Sequence, residues 1–410
     1  MTKVKIINDP VFGFINIPKG LLYDVLTHPV LQRLTRIRQL GLSSFVYPGA
    51  QHTRFQHSVG AYYLMREAIA SLRAKGVAIS DDEAEAVEAA ILMHDIGHGP
   101  FSHVLEHTLV HGISHEDISI LLMEKMNRDL DGRLDLAIRI YRDEYDKRFL
   151  HQLVSSQLDM DRLDYLRRDS FFTGVTEGNI GSARIIKMLN VLDDHLVVEK
   201  KGIYSIENFL TARRLMYWQV YLHKTSVAAE EMLRGVLTRA SELAVLGKEL
   251  FCSPALHYFL YNHITGDTFA AHPECLETFI QLDDNDIWCA LKVWQGNEDI
   301  ILSTLSRGLV NRKLFKVEID TDPFSYDYTD SLTRDISESL GISINEASRY
   351  MITHGTLQKD MYSATDDKIE ILFPDGTVRD IAEASDMLNV NLLEKKVRKH
   401  ILCYYRLLIS

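Results

Sequence analysis

His94-Asp95-Ile96-Gly97-His98-Gly99-Pro100 is the stretch on which the reading of this sequence turns. A His-Asp pair with a second His four residues on offers imidazole nitrogen and carboxylate oxygen within one turn, the mixed donor set that divalent transition metals take. On a helix His94 and His98 stand four apart and Asp95 and His98 three apart, so the spacing predicts ligands on one face. Gly97, Gly99 and Pro100 predict a helix that stops just after this turn, with Pro100 starting the next. A closed shell needs partners from elsewhere in the chain. His57, in Arg54-Phe55-Gln56-His57-Ser58, and Asp161, in Asp159-Met160-Asp161-Arg162-Leu163-Asp164-Tyr165, would complete a His-His-Asp-Asp centre suited to hydrolysis. With 17 histidines in 410 residues accidental pairs arise, but accidental pairs lack such partners.

Outward from that motif, the chain has the composition of an ordinary folded protein, 46% hydrophobic and 25% charged. Its length exceeds one ordinary core and predicts a large catalytic unit with a smaller appended one. A formal net charge of -12 argues against general affinity for nucleic acid or acidic membranes, so an anionic substrate must be met by a local basic cluster. Cys252, Cys275, Cys289 and Cys403 show no CxxC spacing and read as thiols in a reducing compartment. The first residues lack a signal-peptide core and no apolar run approaches a membrane span, which gives a cytoplasmic expectation and no membrane partner.

Residues 1–20 alternate apolar and polar about Gly13, as a short hairpin does. From Leu21 the apolar spacing becomes helical, and it returns over 59–74 and 81–94, the latter opened by Ser80 and Glu83 as a capping box. Helices are predicted over 115–127, 133–140, 149–168, 180–192 and 206–246, with a hairpin at 196–199 and 202–204. Residues 251–315 read as helical, and strand patterns follow at 315–319, 368–373 and 377–378. The fold class is therefore mainly α: a helical catalytic core with an N-terminal hairpin and a small mixed α/β C-terminal portion. The divisions expected are 1–250 for the catalytic domain, 251–320 for a helical extension of it, and 321–410 for the C-terminal region.

Taken together, His57, His94-Asp95 and Asp161 resemble the HD-domain metal-dependent phosphohydrolases. Asn8-Asp9-Pro10, Gln32-Arg33-Leu34, Gln39-Leu40-Gly41, Pro48-Gly49-Ala50, His52-Thr53-Arg54 and Gly99-Pro100-Phe101-Ser102-His103 extend the likeness to the deoxynucleotide triphosphohydrolase branch, which includes the vertebrate SAM-and-HD-domain enzyme. The resemblance spans about residues 1–320, and no SAM domain is present. It implies that His57, His94, Asp95 and Asp161 hold one divalent transition metal, iron, manganese, nickel or zinc, with magnesium as an option on the substrate phosphates. His98 and His103 match the histidines around that metal, and His115-Glu116 resembles the catalytic His-acid pair. His115 is the expected general acid, because imidazole titrates near neutral pH. His107 and His111 match no family position and are expected on the surface.

The same resemblance gives Arg54, Arg162, Tyr165 and Arg213 as triphosphate contacts, Arg162 standing where lysine is more familiar. It gives Gln39, Asp169 and Tyr221 as sugar contacts, with Leu40 packed where a 2′-hydroxyl would sit. Tyr221, eight residues after Arg213, is expected two turns along the same helix face. Thr27 and Thr35 stand where the vertebrate enzyme reads an activating guanine through a carboxylate and an arginine, so GTP gating is not carried over, although Lys5 and Asn8 match neighbouring positions. The expected reaction is hydrolysis of a deoxynucleoside triphosphate to deoxynucleoside and triphosphate, in a homo-oligomer that is a dimer or tetramer. A second reading keeps the site and changes the substrate to a monophosphate, a cyclic nucleotide or another phosphoester. A third makes the fold a non-catalytic nucleotide or nucleic-acid binder.

Overall fold

The structure, a computed structural model, describes residues 4–106, 108–359, 362, 368–386 and 397–407. The chain opens with a hairpin, β1 (Val4–Asp9) and β2 (Gly13–Pro18), paired antiparallel from Val4 opposite Pro18 to Asp9 opposite Gly13. The turn is closed by Asp9, whose Oδ1 accepts from the backbone N–H groups of Val11 and Phe12, both at 2.9 Å. Ile15 and Ile17 point inward onto α1 (Leu21–Thr27), and α2 (Pro29–Gln32) follows.

Two long helices carry the site. α3 (Arg54–Ala74) and α4 (Asp81–Met93) each begin at a complete capping box, Thr53 with Gln56 and Ser80 with Glu83. They pack on each other, and α3 also packs on α9 (Met160–Thr173), burying Val59, Tyr62, Met65, Val87, Ile91, Leu163 and Leu166 between them. Around this centre lie α5 (Ser102–Leu105), β3 (Val110–His111), α6 (His115–Asp129), α7 (Asp135–Tyr141), α8 (Arg148–Val154), α10 (Ser182–Met188), the hairpin β4 (Leu189–Leu192) and β5 (His195–Glu199), α11 (Ile203–Met216) and α12 (Lys224–Val245).

Helices continue from Pro254 to Val310, and α12 packs against the last of them, Ile300–Val310. The C-terminal portion holds a three-stranded antiparallel sheet with the strand Val397–Tyr404 between Lys316–Asp320 and Ile352–Lys359. The strands Glu370–Leu372 and Val378–Asp380 instead extend the β4–β5 hairpin into a four-stranded sheet, so this portion is attached at two places. The mainly α class, the N-terminal hairpin and the mixed C-terminal portion agree with the sequence. Among the described residues no helix is long and apolar enough to cross a membrane.

Several boundaries differ. The metal motif does not lie on a helix: α4 ends at Met93 and residues 94–97 form a turn beyond it. The next helix starts at Ser102, not Pro100. The run 149–168 is two helices, because Asp159 caps a new one with its side chain accepting from Arg162 N at 2.7 Å. The run 206–246 is also two, separated by a π-helical turn at Tyr217–Tyr221. The helix expected over 180–192 ends at Met188, and residues 202–204 enter α11 while the hairpin forms one segment earlier, from β4 and β5.

Candidate active site

The capped first turn of α3 sets Arg54 and His57 on one face, three residues apart. His57 is fully buried, with Nδ1 2.7 Å from Asp164 Oδ2. At the end of α4, Nδ1 of His94 lies 2.6 Å from the carbonyl oxygen of Ile91. Each ring therefore spends Nδ1–H on an acceptor and turns a lone pair at Nε2 inward. The two Nε2 atoms face each other at 3.1 Å, a contact that no hydrogen bond between two lone pairs explains. Asp161 Oδ1 stands 3.0 Å from His57 Nε2 and 3.5 Å from His94 Nε2. Asp95 adds Oδ2 at 3.7 Å from His57 Nε2 and Oδ1 at 3.5 Å from His94 Nε2.

Donor atoms about 2.1 Å from a shared divalent ion stand roughly 3.0–3.5 Å apart in octahedral or tetrahedral geometry, so this cluster has the right size. Its electrostatics agree. Burial opposes charge on His57, but Asp161 and Asp164 outweigh it and push the imidazole up to about 10, so positive charge is favoured here. Desolvation alone would raise the buried Asp95 and Asp161, yet Arg54, His94 and His98 hold Asp95, and His57 and His94 hold Asp161, well below the usual range. The residues present fit a divalent transition metal: His57, His94 and Asp161 bring one donor atom each close enough to share an ion, Asp95 stands beside them, and His98, Glu106 and His115 form a second such group.

The turn after His94 is fixed from three sides. Ser119 Oγ donates to the His94 carbonyl at 3.0 Å and accepts from Gly97 N at 2.9 Å. A Cβ on Gly97 would lie 2.0 Å from the His115 carbonyl oxygen and 2.4 Å from Ser119 N, so only glycine lets α6 approach this closely. Arg33, fully buried, donates to the carbonyls of Ile96 at 3.2 Å, His98 at 2.9 Å and Leu282 at 3.0 Å. Arg54 Nη1 donates to Asp95 Oδ2 at 2.7 Å, which sets that carboxylate's orientation.

Beside the cluster, His98 stacks on His115 with centroids 3.9 Å apart and has Nε2 3.2 Å from Asp95 Oδ1. Desolvation, then the nearby Arg54, drives His98 down to about 3, so it is neutral. His115 behaves oppositely. Burial opposes its charge, but carboxylates at both ring nitrogens, Glu106 at 3.1 Å from Nδ1 and Glu116 at 3.1 Å from Nε2, raise it to about 9. Its hydrogen bond to Glu116 in turn lowers that carboxyl to about 2. Glu106 is a partner that the sequence reading missed. The side chain of His103 lies outside the described residues, as does His107.

A cavity of about 500 Å³ opens over these groups, lined by Gln39, Leu40, Arg54, Asp95, His98, His115, Asp161, Arg162, Tyr165, Asp169 and Tyr221 among others. Thus seven of the eight expected substrate residues share one wall system with the metal cluster. Arg213 is the exception. It is not among the lining residues, a π-helical turn lies between it and Tyr221, and it is buried with Nε and Nη1 lacking a hydrogen-bond partner while its charge acts on Tyr165 of the lining. Within the cavity Asp169 is held at both oxygens, by His52 Nε2 at 2.7 Å and by the Tyr221 hydroxyl donating at 2.7 Å. Gln39 Oε1 is buried without a partner. His52 and Asp164 stood inside quoted motifs, but nothing in their spacing marked them as supports for Asp169 and His57.

Helices packed about two histidines and two aspartates at the mouth of such a cavity define a metal-dependent phosphohydrolase of the HD class, and this chain belongs to the HD-domain phosphohydrolase family. Residues 54–169 match the HD domain and residues 180–252 the HD associated region. The chain is 31% identical to YwfO of Bacillus subtilis over 424 aligned positions, covering 100% of this chain and 94% of that protein. A crystal structure of a phosphohydrolase from Bacteroides thetaiotaomicron is 68% identical, superposes with a TM-score of 0.96, and covers 98% of this chain and 100% of that one. More distantly, a deoxynucleoside triphosphate triphosphohydrolase SAMHD1 homologue of Dictyostelium discoideum is 29% identical over 265 positions, 60% of this chain and 51% of that protein.

Proposed function

We propose that this protein hydrolyses deoxynucleoside triphosphates to deoxynucleoside and triphosphate. The observation that carries this reading is the single cavity in which Arg54 and Arg162 flank the His-Asp cluster while the Asp169–Tyr221 pair and Gln39 stand beside it. Guanidinium groups match the phosphate tail. The doubly held Asp169 and the unpartnered Gln39 oxygen match a sugar hydroxyl, and Leu40 narrows the space on that side. The buried Arg213, with two unpaired nitrogens, adds positive potential at Tyr165 of the same wall.

In this reading His57, His94, Asp95 and Asp161 bind the metal, whose chemical contribution is Lewis acidity at a phosphoryl centre. Water attacks the α-phosphorus, the bond to O5′ breaks, and O5′ leaves with a proton. His115, kept protonated at neutral pH by Glu106 and Glu116, is the donor of that proton. Neutral His98 aligns the ring of His115 by stacking on it.

The test is product analysis. Protein supplied with manganese is incubated with a panel of deoxynucleoside triphosphates, ribonucleotides and monophosphates, and the phosphate product is identified. Inorganic triphosphate from deoxynucleotides is the expected result; orthophosphate release or turnover confined to monophosphates would overturn it. A His94→Ala, Asp95→Ala variant is expected to lose biological activity together with turnover, whereas a non-catalytic binder would keep its biological activity in that variant.

A further inference from the structure

Glu230 is the one acidic residue of the cavity lining that none of the roles above uses. It lies on α12, which packs against the turn Gly41–Phe45, so it shares its part of the wall with Gly41, Leu42 and Ser43, just past the Gln39 and Leu40 positions. Among the described residues its carboxylate has no hydrogen bond or ion pair. The charges that act on it are Glu231 and Arg234 of its own helix, not those of the metal cluster. Desolvation, then Glu231, pushes its carboxyl up to about 7, with Arg234 acting the other way, and the side chain stays partly open to the cavity. The arginines of the cavity are committed elsewhere: Arg54 to Asp95, Arg162 to Asp159 and the Ser156 carbonyl, Arg38 to Gln51. Among the described residues no side chain donates to Glu230, which leaves its oxygens to water or to a bound ligand.

With the phosphates at Arg54 and Arg162 and the sugar at Asp169 and Tyr221, the part of a nucleotide left to meet Glu230 is the base. A carboxylate accepts only, through two oxygens about as far apart as two neighbouring N–H groups. Guanine presents such a pair, N1–H beside the 2-amino group. Adenine and cytosine present an amino group beside an acceptor nitrogen. Thymine presents one N–H between two carbonyls, which a carboxylate repels.

We propose that Glu230 reads the nucleobase edge and makes this site select guanine over thymine. The inference rests on the deoxynucleotide reading given above. Glu230 is a specificity-determining residue in it, with no part in bond cleavage.

The experiment measures kcat/KM for dGTP and dTTP with wild-type protein, Glu230→Gln and Glu230→Ala. Wild type is expected to favour dGTP, and the dGTP:dTTP ratio is expected to fall by roughly 10- to 100-fold in Glu230→Ala, the range set by one bidentate base contact. Glu230→Gln, which replaces one acceptor by a donor, should lower the ratio as well. A structural role for Glu230 would change both substrates alike, so an unchanged ratio in both variants overturns the proposal while leaving triphosphohydrolase activity standing. Absence of deoxynucleotide turnover in wild type overturns both.

Discussion

Nδ1 of His57 lies 2.7 Å from Oδ2 of Asp164, and both side chains are fully buried. The carboxylate is shared: Arg168 donates to it at 2.9 Å and reaches on to Asp9 Oδ2 at 2.7 Å, the residue that closes the N-terminal hairpin turn. Asp164→Asn keeps the shape and removes the charge. Metal affinity should fall about 10- to 100-fold, as for other partners that orient a ligating histidine. Metal content after dialysis against graded chelator checks this, and wild-type retention of metal would refute it.

The same chain predicts a stability effect that activity does not report. Asp9→Ala leaves one end of Arg168 unpaired in a fully buried site and opens the hairpin turn. Breaking one partner of a buried pair costs about 3–5 kcal/mol. Denaturant unfolding of the metal-free protein should show a loss of that order.

If His115 is the proton donor proposed above, it should set the alkaline limit of activity. Its folded pKa stands above the ordinary imidazole value, so the proton is held through neutral pH and released as pH passes about 9. Activity that needs protonated His115 should decline above that pH. Glu106→Gln removes one of the two raising carboxylates and should move the alkaline limb to lower pH, visible in a kcat/KM against pH profile. The linked stability has the same sign: the contribution of charged His115 is complete below about pH 6.5 and fades as pH rises through about 9.

Gly97→Ala should separate α6 from the motif turn. The added Cβ meets the His115 carbonyl oxygen and Ser119 N of the backbone, and the Ser119 Oγ that is itself bonded to the turn. Overpacking of this kind costs about 1–3 kcal/mol, and the displaced His115 should lower kcat more than KM. A variant with wild-type thermal stability and kcat would show that the close approach is dispensable.

Tyr221→Phe removes the donor to Asp169 Oδ2. A lost bond of about 0.5–1.5 kcal/mol predicts kcat/KM for deoxynucleotides down roughly 2- to 10-fold, with KM carrying most of the change. Equal KM values in variant and wild type would remove Asp169 and Tyr221 from substrate binding.

The parts of this protein readable in advance are those written locally. The capping box of Ser80 and Glu83 lies within a single turn and marks the start of α4, while the hydrophobic period finds α3 only from Val59, five residues after its start at Arg54. The helix breaks at 155–159 and 217–223 were not readable, because neither contains proline or glycine: Asp159 ends one run by capping the next, and the π-helical turn hides in an aromatic stretch. Glu106 was missed because its bond to His115 crosses β3 and depends on how α6 returns over the motif. Glu230 lies far along the chain from every motif and meets the site only through the packing of α12 on residues 41–45.

Arg33 bears on where this protein can be cut. Its guanidinium ties the backbone of the motif turn to the carbonyl of Leu282, and next to it Arg36 bonds Asp283 at 2.5 Å while Arg38 N donates to Asp284 at 2.9 Å. A fragment ending near residue 250 would keep every metal ligand and every lining side chain, yet three arginines of the segment 33–38 would lose their anchors together. Residues 282–284 thus hold the segment that braces the catalytic turn, so a fragment cut near 250 is expected to lose stability in that turn before it loses any metal ligand.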